Sequence, residues 1–358
     1  MKVSLYVFNP YSGIGGGDLT LIRFLKSINF KKYNVTIFTL EKIKKFSKKI
    51  KIIKLDSRST FMSFIKIKKI ILSDSSVKKI FFSMQYFVNV PAIIFLKKIK
   101  NLKIFIYEIN HPDQLKYNEN IIQFFKNKIL FFLVKQIYKK VDIVSSNSKE
   151  LSKDLSVLIN KKVETIYNPC FFKIIKKNKN IKNNKITILN VARFEKQKDH
   201  LTLLKAINYS KIKNNIRLNL VGYGTREKLI QDYINKNNID CKIYSSKKLS
   251  LFYKTSDLFI LTSLYEGLPT VMVEAASHCM PIITTQFKSG SSEILNNGKY
   301  GFVFPIKDFN ALSKIIENFY ENPKIFFKKE KLCRKNLKKF SHKKSLIKFN
   351  YLLDKLSN

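Results

Sequence analysis

Four cysteines, Cys170, Cys241, Cys279 and Cys333, are scattered without a Cys-x-x-Cys pair. That spacing argues against a zinc site and fits a reducing compartment. No window reaches about 18 uninterrupted apolar residues, so no transmembrane helix is expected. The run from Met1 to Pro10 has neither a long apolar core nor a small-residue cleavage site, and it reads as a first strand rather than a signal peptide. A cytoplasmic location follows as the expectation. No Asp-x-Asp occurs anywhere, so the acidic pair that usually holds a metal against a diphosphate is missing. No metal site and no cofactor are therefore expected. A P-loop and a Gly-x-Ser-x-Gly elbow are absent as well, and no fixed-period repeat appears. Arginine is scarce: only six of the 68 basic residues. A net charge of +43 invites a nucleic-acid reading. Lysine with abundant Asn, Ile and Phe is what an A/T-rich coding bias produces, and base or phosphate reading usually needs Arg. No specific nucleic acid is expected, and a basic nucleic-acid-binding protein stays as the rival from another class.

What is present is a globular composition, 45% hydrophobic and 13% aromatic over 358 residues, with two domains as the natural prior. Apolar runs alternate with amphipathic stretches. Strands are expected at 3–8, 35–40, 50–54, 79–83, 103–108 and 142–145, with helices at 19–28 and 120–139 between some of them. This alternation predicts a parallel α/β sheet. After Asn168 and Pro169 comes a polar stretch without periodicity, 176–184. The rhythm restarts with strands 186–191, 217–221, 241–244, 258–261 and 281–285, and helices 196–208 and 226–235. Domains are thus expected at 1–170 and 186–340, joined by a linker 171–185. Two such sheets bind a ligand outside the carboxyl ends of their strands, in the cleft they face.

The segment from Ser256 to Glu274 is the most informative. A buried strand, Leu258 to Leu261, leads to a turn with Glu266, Gly267 and Leu268, and Pro269 opens a helix at its first position. The next N–H groups, at Thr270 and Val271, form the positive end of a helix dipole and can receive an anion. Glu266 precedes that anion site and Glu274 lies about a turn inside the helix. Carboxylates repel phosphate, so their targets are uncharged hydroxyls on either side of it. A sugar nucleotide has that layout. Arg193 and Lys198 follow another strand end and suit a leaving diphosphate whose charge grows as its bond breaks; for Lys198 a solvated charge run is a serious alternative. Gly13, Gly15, Gly16, Gly17 and Asp18 lie between the first strand and a helix. They allow either close approach to a ligand or simply a tight turn. Glu108, Asn110 and His111 end a strand, with His111 a candidate for hydrogen bonding a sugar hydroxyl or for proton transfer, or else a satisfied loop histidine. Gly222 and Gly224 lack the third glycine of a dinucleotide fingerprint and read as a strand-end turn. Ser289 to Glu293 reads as an anion-facing turn or a helix cap.

Together these residues resemble the retaining GT-B glycosyltransferases of family 4, which include many bacterial surface-polysaccharide and lipopolysaccharide enzymes. The likeness runs through Gly15-Gly16-Gly17-Asp18, Asn168-Pro169, Val191-Ala192-Arg193 to Lys198, Ser292-Glu293, Gly301 to Pro305 and, most specifically, the Glu-x7-Glu pair Glu266 and Glu274. Asp18 stands where the family usually has Glu, and Ala192 where it has Gly. The resemblance implies a GT-B fold, two Rossmann-like parallel-sheet domains facing each other across a cleft, the first completed by a C-terminal helix at about 341–358. It implies that Glu266 and the N–H groups after it hold the donor hexose, that Glu274 holds the ribose, and that Arg193 and Lys198 neutralise the diphosphate. The Gly15–Gly16 loop would close over it and His111 would face the reacting sugar. Same-face attack without metal, with the departing phosphate taking the acceptor's proton, is implied too. The donor is expected to be a UDP-hexose or UDP-N-acetylhexosamine, with GDP-mannose the alternative, and the acceptor a glycan or lipid-linked glycan. A non-catalytic sugar-nucleotide-binding homologue is a third reading.

The stretch 121–138 sets Phe124, Phe125, Leu130, Phe131, Phe132 and Val134 around Lys126, Lys128 and Lys135. Such a helix either lies in an anionic membrane surface or faces a core with solvated lysines. Peripheral attachment at the inner face of the membrane is the expectation.

Overall fold

The computed structural model describes residues 2–10, 15–41, 47–57, 59–117, 120–176, 185–245 and 248–358. Gly13 and residues 177–184 of the expected linker lie outside that set. The chain divides into two compact units, residues 1–169 with 342–358, and residues 170–341. In chain order the first unit begins β1 (Val3–Phe8), α1 (Gly16–Lys26), β2 (Tyr33–Thr39), β3 (Ile50–Lys54), α2 (Thr60–Ser73), β4 (Lys79–Met84), α3 (Tyr86–Leu96) and β5 (Leu102–Glu108). It continues with α4 (Ile121–Ile137), β6 (Ile143–Ser146), α5 (Lys149–Ile159) and β7 (Glu164–Thr165). The second unit holds β8 (Ile186–Val191), α6 (His200–Tyr209), β9 (Ile216–Val221), α7 (Glu227–Lys236), β10 (Cys241–Tyr244), α8 (Leu249–Thr255) and β11 (Leu258–Leu261). Then follow α9 (Thr270–Ser277), β12 (Ile282–Thr285), α10 (Ser291–Leu295), β13 (Phe302–Phe304), α11 (Phe309–Glu321) and α12 (Pro323–Asn336). Last comes α13 (His342–Ser357), which belongs to the first unit.

Both sheets are parallel, ordered β3-β2-β1-β4-β5-β6-β7 and β10-β9-β8-β11-β12-β13. Parallel strands covered on both faces need near-continuous apolar runs. β1, β4 and β11 are buried at every position. In each sheet the strand order reverses beside the first strand, between β1 and β4 and between β8 and β11. Such switch points leave a crevice outside the strand ends. Among the described residues no helix is long and apolar enough to cross a membrane.

One face of the first sheet packs against α2, α3, α4 and α5 through Phe64, Ile67, Ile93, Val134 and Leu155. The opposite face takes α1 and α13: Phe349 stacks on Phe24 with centroids 4.3 Å apart and meets Phe82 and Phe105. The Asp354 carboxylate accepts from Lys32 at 2.6 Å and Tyr33 at 2.9 Å, tying the end of α13 to β2.

Three expectations change. The second unit takes in residues from 170 onward, so the start of the expected linker is part of a folded unit: Phe171 N–H donates to Phe340 C=O, and Ile175 N–H to Ser277 C=O. The helix expected at 196–208 is a 3-10 turn, Lys196–Lys198, and then α6, because Asp199 takes a left-handed φ of 44° between them. Pro269 is the N-cap of α9 rather than its first residue, since its ψ of 98° is extended.

Candidate active site

At the switch point of the second sheet, the loops after β8 and β11 meet. The turn 222–224 after β9 sets the first of them. Phe194 N–H donates to Tyr223 C=O at 2.8 Å, and Arg226 N–H to Phe194 C=O at 2.9 Å. A Cβ on Gly222 would stand 1.9 Å from the Ala192 carbonyl oxygen, so only glycine permits this backbone approach. The strand-end turn expected there therefore shapes the loop bearing Arg193. That side chain is exposed and forms no ion pair among the described residues.

The 3-10 turn then lays Lys198 on the β11 loop. Thr262 Oγ1 donates to Lys198 C=O at 2.9 Å, Leu264 N–H to Gln197 C=O at 2.8 Å, and Gln197 Nε2 to Tyr265 C=O at 2.8 Å. Lys198 Nζ donates to Glu266 Oε1, and Ser263 Oγ donates to the same oxygen at 2.8 Å. The two charged side chains are only 15% and 10% exposed. A charge-assisted pair at that burial is strong and geometrically fixed. Glu266 Oε2 has no protein partner among the described residues, which leaves a directed acceptor for a ligand hydroxyl.

Past Glu266 the chain runs through buried Gly267, Leu268 and Pro269 into α9. The N–H groups of Thr270 and Val271 open the helix, both residues partly exposed; Met272 N–H already bonds the Pro269 carbonyl. A fixed partial positive charge therefore lies between Glu266 and Glu274. Glu274 is held from α8: Tyr253 Oη donates to Glu274 Oε2 at 3.1 Å. Burial raises the Tyr253 phenol well above its ordinary value, and the nearby Glu274 charge adds to this, so it remains a donor. Its ring stacks on His278 at 4.9 Å. Tyr253 and Ser263 escaped sequence reasoning because a lone Tyr or Ser in an ordinary helix or strand end has no motif.

The 289–290 turn braces the loop from behind. Ser289, with φ 77°, donates through Oγ to Gly267 C=O at 3.3 Å. Gly290 has φ 28°, and a Cβ there would lie 2.0 Å from the Gly267 oxygen and 2.7 Å from Pro269 Cδ. Gly290→Ala is expected to cost roughly 1–3 kcal/mol by overpacking and backbone strain. Ligand affinity at Glu266 should fall with it; urea unfolding and nucleotide-sugar titration check both. Unchanged values in both would show that the turn does not brace the loop.

The first-unit candidates lie apart from this constellation in sequence. Gly15 is the N-cap of α1, and its N–H donates to Asp18 Oδ2 at 3.1 Å. With Gly16 it begins the helix that follows β1, at the switch point of the first sheet. His111 is 4% exposed and has both ring nitrogens engaged. Nδ1 accepts the Asp113 N–H at 3.1 Å, so the proton sits on Nε2, which donates to Asp154 Oδ2 at 3.0 Å. It caps a 3-10 turn, Pro112–Lys116. Glu108 is wholly buried; Asn89 Nδ2 donates to its Oε1 at 2.6 Å and Tyr138 Oη to the same atom. Desolvation pushes its carboxyl up to about 8, against the pull of those two hydrogen bonds. The polar cluster at the end of β5 is thus divided between a buried, hydrogen-bonded carboxyl and the cap of a 3-10 turn. Among the described residues no group of three or more His, Cys, Asp or Glu is placed to hold a metal ion.

Residues 171–340 match the family described as Glycosyl transferases group 1, so the second unit carries such a domain. A Campylobacter jejuni protein named N-acetylgalactosamine-N,N'-diacetylbacillosaminyl-diphospho-undecaprenol 4-alpha-N-acetylgalactosaminyltransferase is 24% identical over 232 residues, 62% of each chain. A Staphylococcus aureus capsular polysaccharide biosynthesis glycosyltransferase is 30% identical over 212 residues, 56% of this chain and 57% of that one. The first curated relatives are matched over 55–62% of their length. Among solved structures, sucrose-phosphate synthase from Thermosynechococcus elongatus superposes with a TM-score of 0.82 at 15% identity, over 99% of both chains. Anabaena HepE in complex with UDP-glucose gives 0.75 at 13% identity, over 98% of this chain and 99% of that one. The fold is that of these GT-B proteins, two Rossmann-like α/β units with parallel sheets.

Proposed function

We propose that the protein is a retaining glycosyltransferase of the family 4 type that moves a hexose or N-acetylhexosamine from a UDP-sugar to a glycan or lipid-linked glycan in surface polysaccharide assembly. The observation that carries this is the Lys198–Glu266 pair at the β8/β11 switch point, which joins the loop bearing exposed Arg193 to the loop that opens α9. In this reading Glu266 takes hexose hydroxyls through Oε2, Glu274 takes the ribose, and Arg193, Lys198 and the Thr270 and Val271 N–H groups receive the diphosphate. Positive charge fixed in a half-buried site stabilises a leaving phosphate as its charge develops. Two cations from the chain do what a divalent ion does elsewhere, which supports transfer without metal. The departing phosphate takes the acceptor's proton and the new bond forms on the same face. A UDP donor is favoured by the UDP-glucose bound in HepE, and a lipid-linked acceptor by the undecaprenol in the Campylobacter relative's name. Work on a lipid-linked acceptor would place the protein at the inner, anionic surface of a membrane.

Thermal unfolding with UDP, UDP-glucose, UDP-N-acetylglucosamine and GDP-mannose, each with and without a chelator, tests the donor. A ligand at 100 times its Kd stabilises by about 2.7 kcal/mol, roughly 5–10 °C here. A UDP-sugar shift that survives the chelator is expected. A shift with GDP-mannose alone moves the donor to mannose, a shift that needs metal refutes metal independence, and binding without turnover makes the protein a non-catalytic homologue.

A further inference from the structure

We propose that the outward face of α2, α3 and α4 is a docking surface for an anionic lipid bilayer. These helices lie over one face of the first sheet and share one core. α4 is apolar on two opposite sides. Leu130, Leu133, Val134 and Ile137 point into the unit, while Ile121, Phe125, Ile129 and Phe132 line the other side at helical spacing. Those four are 57–68% exposed. Folding of the unit uses the inner stripe and leaves the outer one exposed, its Phe125 ring set edge-on to Phe124 of the same helix with centroids 5.5 Å apart.

The neighbouring helices extend the same surface. α2 exposes Phe61, Met62 and Leu72, and α3 exposes Phe87 and Ile94. Nearly half of the large apolar side chains exposed among the described residues lie on these three helices. Scattered apolar residues on a surface need no explanation, but a concentrated patch marks an interaction site.

Charge selects the occupant. α2, α3 and α4 contain no Asp or Glu, while Lys66, Lys68, Lys69, Lys126, Lys128 and Lys135 are all exposed on α2 and α4. Lys128 Nζ lies 4.4 Å from the centroid of the Phe124 ring. A second copy of this chain would bring the same uncompensated lysines against them, and a nucleic acid has no apolar volume to receive Ile and Leu. A bilayer with acidic headgroups supplies both parts: acyl chains at the headgroup boundary for the Ile and Phe side chains, and phosphates for the lysines. The surface deepens the transferase reading by naming where a lipid-linked acceptor arrives, and it is measured without any sugar donor.

Flotation with phosphatidylcholine vesicles, with and without phosphatidylglycerol, tests it on the whole chain. Binding is expected only to the anionic vesicles. It should weaken at least about tenfold in Phe125→Ser/Phe132→Ser and similarly in Lys126→Glu/Lys128→Glu/Lys135→Glu. All five positions are exposed, and an unchanged melting temperature confirms that each variant folds. Equal binding to neutral vesicles, or variants that bind as the parent does, overturns the proposal. So does a dimer that the Ser variant dissociates, or RNA binding that the same Ser variant abolishes. The UDP-sugar thermal shift should persist in both variants, so loss of docking and failure of the donor reading give different results.

Discussion

Lys198→Ala is expected to lower sugar transfer by about 10²–10³-fold and to destabilise the fold, whereas Arg193→Ala lowers transfer alone. The difference lies in what each cation touches. Lys198 Nζ contacts Glu266 Oε1 with both side chains largely buried, so truncation leaves a carboxylate held only by Ser263. Stranding a hydrogen-bonded charge of that kind costs about 1–3 kcal/mol. Glu266 would also lose the contact that fixes its orientation, and near-attack geometry is intolerant of small displacements. Arg193 is exposed and unpaired among the described residues, so its removal leaves folding within about 0.5 kcal/mol. Its effect should appear only once a diphosphate is bound. Steady-state turnover with a UDP-sugar, beside urea unfolding of the three proteins, separates the two. Equal stability losses, or a Lys198→Ala enzyme within tenfold of the parent, would show that the pair does not organise the site.

As pH rises from about 4.5 to about 8, the protein is expected to lose stability relative to Glu108→Gln. In the unfolded chain the Glu108 carboxyl titrates near 4.5; in the fold, burial holds the proton until about 8. The folded form binds more protons between those values, so its contribution is complete below the lower one and is lost through the upper one. Over that span the loss approaches about 5 kcal/mol. Gln keeps an acceptor for Asn89 and Tyr138 without an ionisable group. Asp74, Asp142, Glu164 and Asp354, whose carboxyls all lie below their ordinary values, work in the other direction and lose their contribution in acid, as do His200 and His278, whose imidazoles burial pushes down. The difference between parent and Glu108→Gln across pH isolates the one carboxyl. A difference that stays flat between pH 5 and 8 would show Glu108 to be ionised in the fold.

Much of this architecture was legible from the sequence. β1, β8 and β11 begin and end where their apolar runs do, because a strand covered on both faces must be largely apolar; the edge strands β3 and β10 also keep their expected bounds, although each carries exposed lysine. The Glu266–Glu274 segment stood out through spacing, and Arg193 through scarcity. The helix that completes the first unit was expected at 341–358 and lies at His342–Ser357. α2 and α3 were not assigned: α3 is apolar on nearly every side and contains Pro91, so no 3.6-residue period shows. Burial decided the end of β5. Sequence places Glu108 and His111 together as polar residues after a strand, but only packing shows one under Asn89 and Tyr138 and the other tied to Asp113 and Asp154. Nor does sequence show that Tyr253, on a different helix, holds Glu274.

The seat of Phe349 on Phe24, Phe82 and Phe105 has a consequence for the order of assembly on the ribosome. Residues 170–341 form one contiguous unit, and all of it is synthesised before residues 342–358. Domains tend to fold as units during synthesis, the earlier one first. Here the chain of the later unit is complete first. Until α13 is translated, the rings of Phe24, Phe82 and Phe105 in the nascent first unit lack the ring that covers them.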